Sequence, residues 1–328
     1  HGDEDIAVLA DLEQNRWQFL SELSFENEVI KSLNTKVAYT DYRHSELELG
    51  MVGTTFDNES VEARLEVQHQ NFADWRGGLS LHYKQSDFTA VGTEAFTPPS
   101  ETNSIALAWI EERHFGNALL QLGARIEHTE ITAAKVRLPK VELVKEHNNY
   151  KEDIHAQEGM TRNFDVKHVF TPASFSAGLV WDFTDGYNLG VSLSHSKRAP
   201  SASELLSFGP HIGTGSYEVG SLFSLHDDHD EIPHFGLTEN DIVMETANNI
   251  DVSLRKFKGD FGFIFNAFYN QIDDYYYEQS THFHAGDGHD HSGHDHGNHE
   301  EEEEAHPLPL FVFTLCLTMH NSMNLKID

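Results

Sequence analysis

Apolar and polar side chains alternate with period two along most of the chain, and helical periodicity is almost absent. Around Trp17 the series Trp17, Phe19, Leu23 and Phe25 interleaves with Gln18, Glu22, Ser24 and Glu26. The pattern recurs at Leu33–Tyr39, Val61–Val67, Trp75–Tyr83, Ile105–Trp109, Ala118–His128, Phe175–Phe183, Leu189–Leu193, Ile250–Leu254 and Phe261–Tyr269. Successive side chains of a strand point to opposite faces, so each run predicts a strand with one apolar and one polar face. About ten such strands are expected between Gln14 and Glu278, many of them 11–15 residues long, against about 5–6 for an average soluble strand.

The connections alternate in kind. Short turns are predicted at Val29–Lys31, Ala73–Asp74, Gly116–Asn117, Thr184–Gly186 and Lys258–Gly259, and long polar loops at 46–58, 90–102, 133–172, 198–246 and 279–307. Short turns at one end and long loops at the other are the pattern of an outer-membrane barrel. The apolar face would meet lipid and the polar face a wet lumen. Trp17, Trp75, Tyr83, Trp181 and Tyr275–Tyr277 are candidates for the interfacial aromatic girdles. A soluble sandwich or lipocalin also alternates, but the strand lengths favour the barrel. The fold class read from this pattern is therefore all-β: an antiparallel transmembrane β-barrel portion of about 10–11 strands, the eleventh at Leu308–Thr314, with long extracellular loops.

Composition narrows the function. The chain has 328 residues, and 22 Lys+Arg against 54 Asp+Glu leave a formal net charge of −32. That excess of acid excludes a nucleic-acid surface, which needs basic residues against phosphate. A single Cys excludes a disulfide framework and Cys-rich zinc modules. No run approaches the roughly 18 apolar residues of a membrane-spanning helix. The front, starting at His1, lacks a signal-peptide layout and reads as a mature or internal piece. No nucleophile elbow, Walker loop or His-Glu-x-x-His is present, so no enzyme is expected.

The stretch from Ser194 to His211, with Arg198, Ala199, Pro200, Glu204, Leu205, Gly209 and His211, resembles a segment of the TonB-dependent outer-membrane receptors. A second block, Glu245–Leu254 followed by Ala267–Tyr275, resembles that family's next hairpin. The resemblance extends over roughly residues 14–314 and implies a place in the bacterial outer membrane. It also implies a plug inside a barrel of about 22 strands and a TonB-type energy-coupling complex as partner. The chain shows no plug and no coupling box, so residues 1–314 are expected to form part of such a barrel. Residues 315–328 no longer alternate and read as an aberrant or disordered tail. The motif residues themselves are expected to serve architecture.

The densest chemistry lies at Thr281–His306, with eight His, eight acids and no Lys or Arg. His282, His284, His289, Asp290, His291, His294, Asp295, His296 and His299 are its candidate ligands. Neutral imidazole binds zinc, copper and nickel, carboxylates complete the shell, and four intervening glycines let the chain fold around an ion. A second cluster offers His226, Asp227, His229, Asp230 and His234, and His211 is a further candidate in the family-like Gly-x-His position. The plain alternatives are a solvated low-complexity run and an acidic surface loop. His- and Asp-rich loops resemble the zinc-uptake branch of the family, which implies capture and energy-coupled import of Zn2+. A receptor of the same fold for a siderophore or another metal chelate, and a soluble β-protein buffering extracellular metal, stay open. The expected partners are outer-membrane lipid, the metal ion and the coupling complex, and no nucleic acid.

Overall fold

The computed structural model describes residues 8–48, 50–92, 95–138, 141, 143–147, 150–154, 162–211, 214–227, 233–285, 308–316, 319–320 and 324–327. In chain order the strands are β1 (Val8–Ser24), β2 (Ile30–Glu48), β3 (Met51–His69), β4 (Trp75–Gly92), β5 (Ser100–Phe115) and β6 (Ala118–Leu138). There follow β7 (Leu143–His147), β8 (Tyr150–Ile154), β9 (Arg162–Phe170), β10 (Ala173–Thr184) and β11 (Tyr187–Arg198). A short helix α1 (Ala202–Leu206) precedes β12 (Phe208–His211), β13 (Ser216–Val219), β14 (Phe223–His226) and β15 (His234–Leu237). The last long elements are β16 (Glu245–Lys256), β17 (Phe263–Asp273), β18 (Tyr275–Ala285) and β19 (Leu308–Cys316).

Ten long strands, β1–β6, β10, β11, β16 and β17, pair in that order as one antiparallel wall. Among the described residues no pairing joins β1 to β17, so the wall is open, as befits part of a barrel. The backbone segments Met319–His320 and Asn324–Ile327 add to it by pairing with β17. One face presents Trp17, Phe19, Leu65, Leu81, Leu107, Ile126, Phe175 and Leu193, all large, apolar and exposed. In water such a surface would be a severe liability, whereas against lipid it is what holds the wall in place. The opposite face is knitted by polar side chains. His82 Nε2 lies 2.9 Å from Glu62 Oε1, and Arg76 Nη2 lies 3.0 Å from Glu112 Oε1. That face borders a cavity of about 880 Å3 lined in part by Glu66, Arg76, Gln121, Arg125 and Ser176.

The turn end matches the sequence reading. Ala73 and Asp74 both adopt positive φ, 50° and 65°, between the bridged residues Phe72 and Trp75. Two left-handed central residues make the hairpin turn whose twist suits the flanking strands. The opposite end departs from it. Residues 46–48 and 51–58 are strand, and so are 90–92 and 100–102, where long loops are expected. β2 and β3 have 19 residues each and β6 has 21, about twice the 9–11 that cross a bilayer. Alternation continues past the apolar band, so pairing continues too.

The two longest expected loops, 133–172 and 198–246, are corrected more strongly, because they fold into a cap. β12, β13, β19, β18, β7 and β8 form a second sheet, and β14 pairs with β15. The apolar core of the described residues sits here, against the last part of the wall strand β6. Ile131, Val136, Val166, Phe170, Leu205, Leu206, Val219, Phe223 and Phe283 pack together. Tyr276, a girdle candidate, is 4% exposed in this cap, and its hydroxyl donates to the Val243 carbonyl at 2.7 Å. Burial pushes its pKa up to about 12.

The family-like segment is the clamp of the cap. Ser201 caps α1, its Oγ accepting from Glu204 N at 3.2 Å while Glu204 Oε2 accepts from Ser201 N at 2.7 Å. Arg198 donates to Glu204 from both terminal nitrogens, at 2.8 and 3.1 Å, and from Nη2 to Glu245 at 2.8 Å. Burial pushes the Glu204 carboxyl up, but Arg198 and the Ser201 amide outweigh it and hold the group below the ordinary carboxylate range. A depressed carboxylate stabilises the fold above its unfolded pKa of about 4.3 and loses that contribution as pH falls through the folded value. Arg198→Gln is expected to cost about 2 kcal/mol, discounted for the partly exposed guanidinium. Urea midpoints between pH 3 and 7 measure it. The acid-labile part of wild-type cap stability should be absent from the variant.

Candidate functional site

β14 and β15 form a four-residue ladder in which His226 is the register partner of His234. Their rings stack at 5.2 Å between centroids with planes 22° apart. Ser224 Oγ lies 3.1 Å from His226 Nε2. Gly236, on the facing strand, makes room for the ring, since a Cβ there would come within 2.8 Å of His226 Nε2. The hairpin leans on the cap core through Phe235 and Phe223, whose rings meet Phe208 edge-on at 5.1 and 4.9 Å. A pair of imidazoles is thus held on a scaffold anchored by aromatic contacts.

Asp227 follows His226 on an exposed position. His229 and Asp230 lie outside the described residues, as do His289, Asp290, His291, His294, Asp295, His296 and His299. His282 and His284 fall on β18, where His284 is the register partner of Pro309 and Val144. Among the described residues no three His, Cys, Asp or Glu side chains converge as a metal site. The structure therefore brings two of the expected ligands face to face and leaves the third open.

His211 lies on a different hairpin, β12–β13. It ends β12, its Nδ1 lies 2.6 Å from Glu218 Oε1, and its ring stacks on Phe96 at 5.0 Å. Glu218 is buried, so this pair closes the β12–β13 hairpin. Nearby, burial and the Glu218 carboxylate push Glu278 above the ordinary carboxylate value, with His211 opposing. Sequence reasoning missed Glu218 and Glu278. The only signal was that Glu218 sits between Tyr217 and Val219 and that Glu278 directly follows the run Tyr275–Tyr277. His168 stacks on Phe170, and burial lowers its pKa.

The family model described as "TonB dependent receptor-like, beta-barrel" matches residues 5–289. Among solved structures, the chain resembles a copper transporter, OprC, at 13% identity and a TM-score of 0.61, covering 93% of this chain and 42% of that one. It also resembles the Serratia marcescens hemophore receptor HasR, as a double mutant in complex with its hemophore HasA and heme. There the identity is 12% and the TM-score 0.60, over 83% of this chain and 41% of that one. The FrpB iron transporter of Neisseria meningitidis, F3-3 variant, matches at 10% identity and a TM-score of 0.50, over 81% and 38%. The chain thus spans about two fifths of the length of these structures. At such identities the likeness is one of fold.

Proposed function

The chain belongs to the TonB-dependent receptor-like β-barrel family of the bacterial outer membrane, and we propose that its receptor captures a metal cation, zinc, and imports it with a TonB-type energy-coupling complex. The family comprises receptors and transporters rather than enzymes. The observation that carries the metal reading is that both His-rich stretches attach to the cap. One is built on the β14–β15 hairpin with His226 opposite His234, and the other continues from the end of β18. Cross-strand partners on one face are close enough to share an ion, given Zn–N bonds of about 2.0–2.1 Å.

Ligand chemistry favours zinc over copper(I) and over ferric chelates. Copper(I) selects thiolate and thioether, and this chain has one Cys and five Met among 23 His and 54 acids. A ferric chelate is anionic, and a net charge of −32 would repel it at the mouth. Calorimetric titration of the detergent-solubilised chain tests the reading. Saturable zinc binding at neutral pH is expected, surviving competition from excess Ca2+ because the donors are imidazoles. Absence of saturable binding, or loss of zinc to Ca2+, would defeat it.

A further inference from the structure

We propose that the turn-side rim of the apolar face holds a phospholipid whose head carries both a phosphate and a primary ammonium. The inference is independent of the metal reading and rests only on that face meeting lipid. The register lays the outward side chains of β3–β6 in rows. Val67, Leu79, Trp109 and Ala124 form the last fully apolar row. One step toward the turns the row reads Gly77, Glu111, Leu122, and the next reads Trp75, Arg113, Leu120. Charge thus appears on the lipid-facing side just where the apolar band ends, at headgroup level.

The charged row is constructed rather than incidental. His69, at the end of β3, reaches over Gly77 so that its Nε2 lies 2.8 Å from Glu111 Oε1. A Cβ on Gly77 would stand 2.7 Å from Glu111 Cδ, so glycine is what lets the bridge cross β4. The other ring nitrogen, Nδ1, lies 2.6 Å from the Gln70 carbonyl. Arg113 lies over the rings of Phe115 and Trp75, its Cζ 4.8 and 5.8 Å from the centroids, and its Nη2 is 3.9 Å from Asp74.

Two atoms are left over. Among the described residues, Glu111 Oε2 and Arg113 Nε are buried without a hydrogen-bond partner. Unpaired buried groups of this kind are costly and call for a ligand. They are a negatively charged hydrogen-bond acceptor and a positively charged hydrogen-bond donor, two residues apart on one face, hence about 7 Å apart along the strand. A cavity of about 570 Å3 opens beside Glu111, walled by Val29, Phe72, Trp75, Trp109 and Leu122 with Glu28 at its edge. Glu111 Oε2 suits an ammonium, Arg113 Nε a phosphate, and the apolar wall the first part of an acyl chain. A purely anionic head would leave Glu111 unsatisfied and set it beside a second negative charge.

The test is lipid competition. The chain is reconstituted in nanodiscs holding equal parts of phosphatidylethanolamine, phosphatidylcholine and phosphatidylglycerol, and retained lipid is read by native mass spectrometry. Phosphatidylethanolamine should be retained about tenfold over either competitor, the low end of what one charged hydrogen bond contributes. Glu111→Gln should erase the preference over phosphatidylcholine, whose trimethylated head cannot donate, and Arg113→Gln should lower retention of all three. Equal retention by the unaltered chain, or preference for phosphatidylglycerol, would overturn the proposal. That comparison needs no variant, so a variant that fails to assemble leaves the decision intact.

Discussion

Leu206→Ala is expected to open the cap while leaving the membrane wall paired. Leu205 and Leu206 are adjacent in a helix of five residues, and both are 0% exposed. Neighbouring helical residues point about 100° apart, so α1 is enclosed on more than one side. A helix this short does not hold by itself. Its end carbonyls are taken up by the following segment. Ser221 N donates to Glu204 O at 2.9 Å and Leu222 N to Leu205 O at 3.1 Å. Gly220 allows that approach, because a Cβ there would lie 2.4 Å from Leu205 O. The helix and 220–222 therefore stand or fall together with the core of Val219, Phe223 and Ile131 around them. Emptying one buried leucine site costs about 3 kcal/mol, which raises local opening about a hundredfold. Limited proteolysis should cut within the cap faster by that order, with the β-sheet circular dichroism of the wall unchanged. Cleavage at the wild-type rate would show that α1 is not a keystone.

The same region shows why part of the fold was legible in the sequence and part was not. The wall could be read because lipid and lumen impose opposite chemistries on alternate residues. Trp17 beside Gln18 and Leu81 beside His82 betray their faces with no further information. The left-handed pair Ala73–Asp74 was legible as a turn from its place between two alternating runs, though Ala is an unusual resident there. The cap hid because polar composition was read as loop. Its core is assembled from single apolar residues widely spaced in sequence, such as Val136, Phe170, Val219 and Phe283, brought together by topology alone. Charged pairs hid for the same reason. Arg198 and Glu245 are 47 residues apart and His69 and Glu111 are 42 apart, so no local spacing announces them. His226 and His234 were legible as ligands by type, but only the hairpin register makes them opposite one another.

Replacing residues 286–306 with the same number of Gly and Ser residues is expected to remove most of the zinc capacity. The boundary matters. A deletion starting at 282 would also take Phe283 and Ala285, which are 5% and 2% exposed in the cap core, and would confuse lost ligands with lost folding. Length matters as well, since Ala285 and Leu308 are register partners and a plain deletion would leave Pro307 alone to join them. The replaced segment carries six of the chain's 23 His. With four ligands per ion, imidazole joined by carboxylate, it accounts for about two zinc ions. Stoichiometry should fall by that amount, and the remaining binding should fall again when His226 and His234 are both changed to Ala. Gly236→Ala should weaken the remainder more mildly, by displacing the His226 ring. Because a ligating imidazole must be deprotonated, occupancy at fixed zinc should decline as pH falls through about 6.5, the ordinary value for His. Carboxylate-only binding would persist down to about pH 4–5. Unchanged stoichiometry after the Gly/Ser replacement, or binding indifferent to pH between 7 and 5.5, would place the metal elsewhere and leave the acidic tract a solvated surface.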